Sequence, residues 1–243
     1  MKIVGRKIDK YYGNKQVLYS LDFTFSLGQG GVTGLIGPNG AGKSTLMRIL
    51  GGITSPNSGQ LLIENSLPSE SNSYDIWSRK NSFYAPTGER GLRNKLSMKD
   101  NLRYFAALRG ESLKDCLTFL TQIAIDFDAA ELIDRDFDQM STGQKKKAEL
   151  IVAVALNARL LLLDEPSNGL DIKSQISLMK LIRTIGRTAD KKLIVSSHDP
   201  GLLANVVNQY IFISKGRILK TLNSPLTELE LRRVYECLYT EGD

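Results

Sequence analysis

The sequence predicts an α/β fold with a mixed or parallel sheet, its chain interrupted by a helical lobe. Three observations predict it. Apolar strand-like runs alternate with helical stretches along the second half of the chain, the pattern of parallel strands joined by crossover helices. One run, Leu160 to Leu163, is four consecutive leucines, which suits a strand buried on both faces. The apolar spacing changes to three and four residues near residue 97, where the lobe is expected.

The elements follow in order. "QVLYSLDFTF", "GVTGLIG" and "GQLLIEN" alternate or cluster apolar residues between Gly, Asn and Ser turns and are expected strands. "SMKDNLRYFAALRG" and "ESLKDCLTFLTQIAI" are expected helices, the first opened by Ser97 and Asp100 as a capping pair. They belong to a lobe placed at roughly residues 88–140 of a single domain spanning 1–243. Strands return at "RLLLLDE", "KLIVSSH" and "QYIFISKGRIL". "SPLTELELRRVYECLY" reads as an amphipathic helix, with no further domain expected after it.

At 243 residues, 42% hydrophobic and 24% charged, the chain can bury one substantial core as a soluble globular protein. A net charge of +6 and a pI near 9.2 would suit nucleic acid, an anionic membrane face or an acidic ligand, and serves solubility equally well. Cys116 and Cys237 are too few for a disulfide framework or a zinc cage, which fits a reducing cytosol. "MKIVGRKIDKYYG" lacks a signal-peptide core, and the apolar run Leu150 to Leu156 is far short of the ~20 residues of a spanning helix. The polypeptide is expected not to cross a membrane by itself.

"GLIGPNGAGKST" has Gly37, then four residues, then Gly42, Lys43 and Ser44, behind the apolar strand Val32 to Ile36 and ahead of a helical run from Thr45 to Leu50. Glycines let successive amide N–H groups turn toward a β-phosphate, and the helix N-terminus adds partial positive charge. Lys43 supplies a full charge to β and γ oxygens, and the Ser44 hydroxyl is placed for Mg²⁺. The bland alternative, a Gly-rich turn without a ligand, does not explain the intact spacing and flanks. Gly37, Pro38, Asn39, Gly40, Ala41, Gly42, Lys43, Ser44 and Thr45 are therefore the expected nucleotide contacts.

Asp164 and Glu165 end the leucine strand, where ligands of parallel sheets bind. Adjacent strand residues point to opposite sides, so the two carboxylates can do different jobs. Asp164 can hold the Mg²⁺ shell, and Glu165 can orient or deprotonate the water attacking a γ-phosphate. His198, the only histidine, ends another strand 33 residues beyond Glu165, where an imidazole could bond the γ-phosphate and hold the water or Glu165.

Together these motifs resemble the ATP-binding subunit of an ATP-binding cassette (ABC) transporter over essentially the whole chain. Gly37 to Ser44 match the Walker A loop, Leu160 to Asp164 the Walker B strand, Glu165 its catalytic glutamate, Ser167 to Asp171 the D-loop and His198 the switch histidine. The resemblance implies a P-loop NTPase core, an N-terminal antiparallel β subdomain and an inserted α-helical subdomain. Tyr12 sits where the family stacks an aromatic ring on adenine, with Tyr11 competing. "MSTGQ", Met140 to Gln144, corresponds to the Leu-Ser-Gly-Gly-Gln signature. In the family this site faces the Walker A loop of a second cassette, so Ser141, Thr142, Gly143, Gln144 and Asp171 are expected contacts to a nucleotide held by the partner subunit, in a homodimer or heterodimer. Of Lys145, Lys146 and Lys147, at most one or two approach phosphate and the others form a solvated surface; no nucleic acid is expected.

Two departures stand out. Thr142 replaces a signature glycine. No glutamine lies between Gln60 and Gln122, where the family has one touching Mg²⁺; Thr87 occupies the place, with Glu89 as an alternative. The resemblance implies an ATPase using ATP and Mg²⁺, cytoplasmic and peripheral on the inner face of the membrane through a separate transmembrane permease. "TGERGLRNKLSMKDNL" and the absence of a C-terminal regulatory domain resemble ABC-2 type exporter subunits. Two other classes compete: a soluble cassette ATPase of an assembly machine such as iron–sulfur cluster biogenesis, and a weakly hydrolysing nucleotide-dependent regulator.

Overall fold

A computed structural model describes residues 1–28, 30–64, 73–88 and 91–239. The chain runs β1 (Lys2–Tyr12), β2 (Lys15–Ser26), β3 (Val32–Ile36), α1 (Lys43–Leu50), β4 (Ser58–Glu64), α2 (Tyr74–Asn81) and β5 (Ser82–Ala85). It continues through α3 (Met98–Arg109), α4 (Leu113–Asp126), two 3-10 turns at Ala130–Leu132 and Phe137–Gln139, and α5 (Thr142–Ala155). The rest is β6 (Leu160–Asp164), α6 (Ile172–Gly186), β7 (Lys192–Ser196), α7 (Pro200–Val206), β8 (Gln209–Ser214), β9 (Arg217–Leu222) and α8 (Glu228–Tyr239).

Two sheets result. β1, β2 and β4 form an antiparallel sheet in the order β2-β1-β4. The second has the order β5-β6-β7-β3-β8-β9, in which β5 to β8 run parallel and β9 returns antiparallel. The strand periodicity of two divides the core between its faces. Leu160, Leu162, Ile194 and Ile211 face one way and pack with α1 and the antiparallel sheet through Leu46, Met47, Ile3 and Phe25. Leu161, Leu163, Leu193 and Phe212 face the other way and pack against α3 to α7 and Leu231 of α8. The helices within residues 88–140 share this second cluster: Met98, Leu102, Cys116 and Leu120 belong to it.

"QYIFISKGRIL" proves to be two strands, not one. Lys215 (φ 46°) and Gly216 (φ 70°) both take left-handed backbone, which folds β9 back onto β8. At the start of α3 the expected capping pair is present: the Ser97 side chain accepts the Asp100 amide, and Ser97 Oγ donates to Asp100 Oδ2 at 2.9 Å. Cys116 is buried and Cys237 exposed, both free thiols. No helix among the described residues is long and apolar enough to cross a membrane.

Candidate functional site

The loop between β3 and α1 carries the phosphate motif at the carboxyl end of the central strand. Two of its glycines are required by space. A Cβ on Gly37 would lie 2.1 Å from the Ile213 carbonyl oxygen, and one on Gly42, whose φ is 105°, 2.7 Å from a Leu18 methyl. Gly42 is the N-cap of α1 and no side chain caps that helix, so its first amide N–H groups are available to an anion. Lys43 is buried, with Nζ donating to the carbonyls of Gly37 at 2.6 Å and Pro38 at 3.2 Å. Burial pulls its pKa below the ordinary lysine value, and the Glu165 and Asp164 charges pull it back. The lysine thus bridges the loop and the acidic pair, 3.9 Å from Glu165 Oε1.

The acidic pair is held from the neighbouring strand. Ser196, buried at the end of β7, donates from Oγ to Asp164 Oδ1 at 2.6 Å. Its Oγ and its carbonyl also receive the Glu165 amide, at 3.0 and 3.1 Å. Glu165 has left-handed backbone (φ 50°), which swings its side chain out of the strand direction toward His198, whose Nδ1 is 2.8 Å from Glu165 Oε2. A strained non-glycine residue held this firmly marks a site where geometry matters. On the other side, the Tyr84 hydroxyl of β5 donates to Asp164 Oδ2 at 3.0 Å, and Thr87 Oγ1 donates to the Asp164 carbonyl at 3.3 Å.

One cleft of about 360 Å³ gathers Asn39 to Thr45, Thr87, Asp164, Glu165, Asn168 and His198. Amide donors, a buried cation, a hydroxyl and two separately oriented carboxylates converge there, which is the equipment for binding a phosphoanhydride and activating water against it. Among the described residues no group of three or more His, Cys, Asp or Glu side chains could hold a metal. One hydroxyl (Ser44) and one carboxylate (Asp164) instead fit a Mg²⁺ that takes its other ligands from phosphates and water.

Ser141 lines a different cleft, with Gly143, Gln144, Lys173 and Ser174. It is the N-cap of α5 in a capping box: its hydroxyl accepts the Gln144 amide at 3.3 Å, and Gln144 Oε1 accepts the Ser141 amide at 2.9 Å. Gly143 is there because α6 passes close by; a Cβ would lie 2.4 Å from Ser174 Oγ. Asp171 caps α6, accepting the Ser174 amide at 2.8 Å.

Residues 21–168 match the profile of the ABC transporter family. The chain belongs to that family. It is an ATP-binding subunit and an ATPase of the ABC class. The petrobactin import ATP-binding protein YclP of Bacillus subtilis (strain 168) is 30% identical over 237 residues, 96% of this chain and 91% of the relative. ATP-binding cassette sub-family A member 6 of Mus musculus is 27% identical over 195 residues, 80% of this chain but 12% of that much longer protein. The fold matches a solved dimeric ATP-binding cassette in a post-hydrolysis state, bound to ADP and Pi, with a TM-score of 0.73, 20% identity and coverage of 91% of this chain and 98% of that one.

Within this cassette Lys43, Ser44, Asp164, Glu165 and His198 come together, while Ser141 to Gln144 and Asp171 line no part of the same cleft. Tyr12 and Tyr11, at the end of β1, are exposed at 46% and 41%, and the Lys10 ammonium lies over the Tyr12 ring, 5.4 Å from its centre. Thr87 is in the cleft, and Glu89 lies outside the described residues. The lysine run needs correction, because it is not a solvated surface. Lys145 and Lys146 are buried, and Lys147 donates to the Phe127 and Asp128 carbonyls. Lys146 pairs with buried Glu149 at 3.1 Å and donates to the Pro86 and Gly88 carbonyls, on either side of Thr87. Nothing in the local sequence marks Ser196 or Tyr84 for this site. Ser196 sits in "LIVSSHD" two residues before His198, but only strand pairing brings it and Tyr84 to Asp164.

Proposed function

We propose that this cassette drives a separate transmembrane permease through an ATP-dependent head-to-tail dimer, homomeric or heteromeric. The convergence of Lys43, Ser44, Asp164, Glu165 and His198 on one cleft, with Ser141 in another, is the observation that carries this reading. Each nucleotide would meet the Walker loop of one chain and the capped end of α5 of the other, so hydrolysis would require both.

Gly37 to Thr45 would cradle the phosphates, with Lys43 neutralising β and γ oxygens, and Tyr12 would stack on adenine. Ser44 and Asp164 would hold Mg²⁺, with Thr87 where the family has glutamine; when bound, the ion supplies charge neutralisation to the phosphates. Glu165 would take the proton of the attacking water, oriented by His198 through the 2.8 Å contact. Ser141, Thr142, Gly143, Gln144 and Asp171 would reach the nucleotide held by the partner. Residues 88–140 would act as a helical subdomain inserted into the cassette, receiving the permease on the cytoplasmic side of the membrane.

The transport direction in this reading is export, from the likeness of the stretch beginning at Thr87 to ABC-2 exporter subunits. Import is the second reading, favoured by the 30% identity with YclP. The test is Glu165→Gln in ATP and Mg²⁺. Light scattering should show its mass doubling, and a tagged form should bring down a polytopic membrane protein in roughly equal amount. A monomer under these conditions, or soluble partners only, would sink the reading. The identity of the captured permease decides between export and import.

A further inference from the structure

Asp164 is reached from β5 by a side chain that the mechanism above does not use. Tyr84 pairs with Leu162 in the parallel register of β5 and β6, so its side chain shares the face of Leu162 and Asp164. Asp164 lies two residues further on, about 7 Å along the strand, a span a tyrosine ring can cross. Its hydroxyl arrives 3.0 Å from Oδ2, opposite the Ser196 hydroxyl on Oδ1. A phenol keeps its proton at neutral pH and a carboxylate only accepts, so Tyr84 is the donor of this bond.

We propose that Tyr84 is a positioning residue for the metal-binding carboxylate, its hydroxyl holding Asp164 in the rotamer that shares Mg²⁺ with Ser44. The proposal rests on the site reading above. Tyr84 does not touch the reacting atoms. Its effect belongs to metal-dependent nucleotide binding and is absent when the metal is removed.

The experiment titrates a fluorescent ATP analogue against the whole chain, once in EDTA and once across a Mg²⁺ series. Tyr84→Phe keeps the ring and removes the donor. It should raise the half-saturating Mg²⁺ concentration about tenfold, the loss expected for a hydrogen bond to a charged acceptor. Affinity in EDTA should be unchanged. Tyr84→4-aminophenylalanine, which returns an N–H donor to the same ring, should bring the midpoint back toward the native value. An unchanged midpoint in Tyr84→Phe overturns the proposal, as does an equal loss in EDTA, which would make Tyr84 a packing residue. If Tyr84→Phe fails to fold, Tyr84→4-aminophenylalanine carries the test: a native midpoint supports the donor role, and a midpoint shifted about tenfold overturns it. If instead the unsubstituted chain shows no Mg²⁺-dependent binding, or Lys43→Ala leaves affinity unchanged, the site reading fails first.

Discussion

Ser196 is the residue on which both carboxylates depend. A single hydroxyl donates to Asp164 and accepts the amide of Glu165, so it sets the spacing of the proposed metal ligand and the proposed base together. Ser196→Ala leaves a buried carboxylate oxygen short of a partner, at a cost of ~1–3 kcal/mol. The expected outcome is a kcat for ATP at least about tenfold lower, by the same loss of orientation, with a lower unfolding temperature. A steady-state phosphate-release assay checks it, and full turnover would remove Ser196 from the site. Lys43 shows the opposite balance. It is buried against loop carbonyls and takes its value from the anion it meets, so Lys43→Ala should weaken nucleotide binding at least about tenfold, read by fluorescence titration.

At the scale of elements, α5 joins the two clefts. Its N-terminus is the capped Ser141, and one turn on, Lys146 grips the chain on both sides of Thr87 while pairing with Glu149. That pair is 5% and 1% exposed, deep enough that removing one partner strands a charge. Lys146→Met should therefore destabilise the fold by ~3–5 kcal/mol in urea unfolding. Lys146→Met combined with Glu149→Leu should recover most of that, because two apolar side chains replace the pair. A double variant as unstable as the single would mean that the bonds to Pro86 and Gly88, not the buried charge, hold α5 in place. Another element-scale contact closes the nucleotide strand from behind: the Tyr239 hydroxyl of α8 bonds the carbonyls of Ile36 and Ile213, at 3.0 Å each, directly beside Gly37.

For the molecule as a whole, one buried cation ties stability to pH. Lys192 begins β7 at 5% exposure, 3.4 Å from Gln209 Oε1. Burial lowers its pKa to about 8, from the 10.5 of an ordinary lysine. Below about pH 8 both native and unfolded chains hold its proton, and above about 10.5 neither does. Between these values the native state has released a proton the unfolded chain still binds, so stability rises with pH across that window. Lys192→Met should flatten this slope and stabilise the protein at pH 7 by on the order of 3 kcal/mol, the free-energy equivalent of that pKa gap. Chemical denaturation at pH 7 and pH 10 checks it; a stability difference between variant and native chain that does not shrink with rising pH would contradict it.

Local signals determined most of the fold and one half of the site. The phosphate loop is legible because its chemistry needs contiguous residues, the glycines, Lys43 and Ser44, between a strand and a helix. Asp164 and Glu165 are legible because a four-leucine strand has to end where ligands bind. The same holds for the α3 cap and for the alternation of strands and helices. What the sequence could not determine depends on pairing across the sheet. Ser196 and Tyr84 lie 32 and 80 residues from Asp164, and only the order β5-β6-β7 brings their hydroxyls to its two oxygens. The lysine run misled for the same reason, since charge reads as surface until tertiary contacts supply Glu149 and the carbonyls beside Thr87. Periodicity and motif are properties of neighbours along the chain; the partner of a buried polar group is a property of the packed fold.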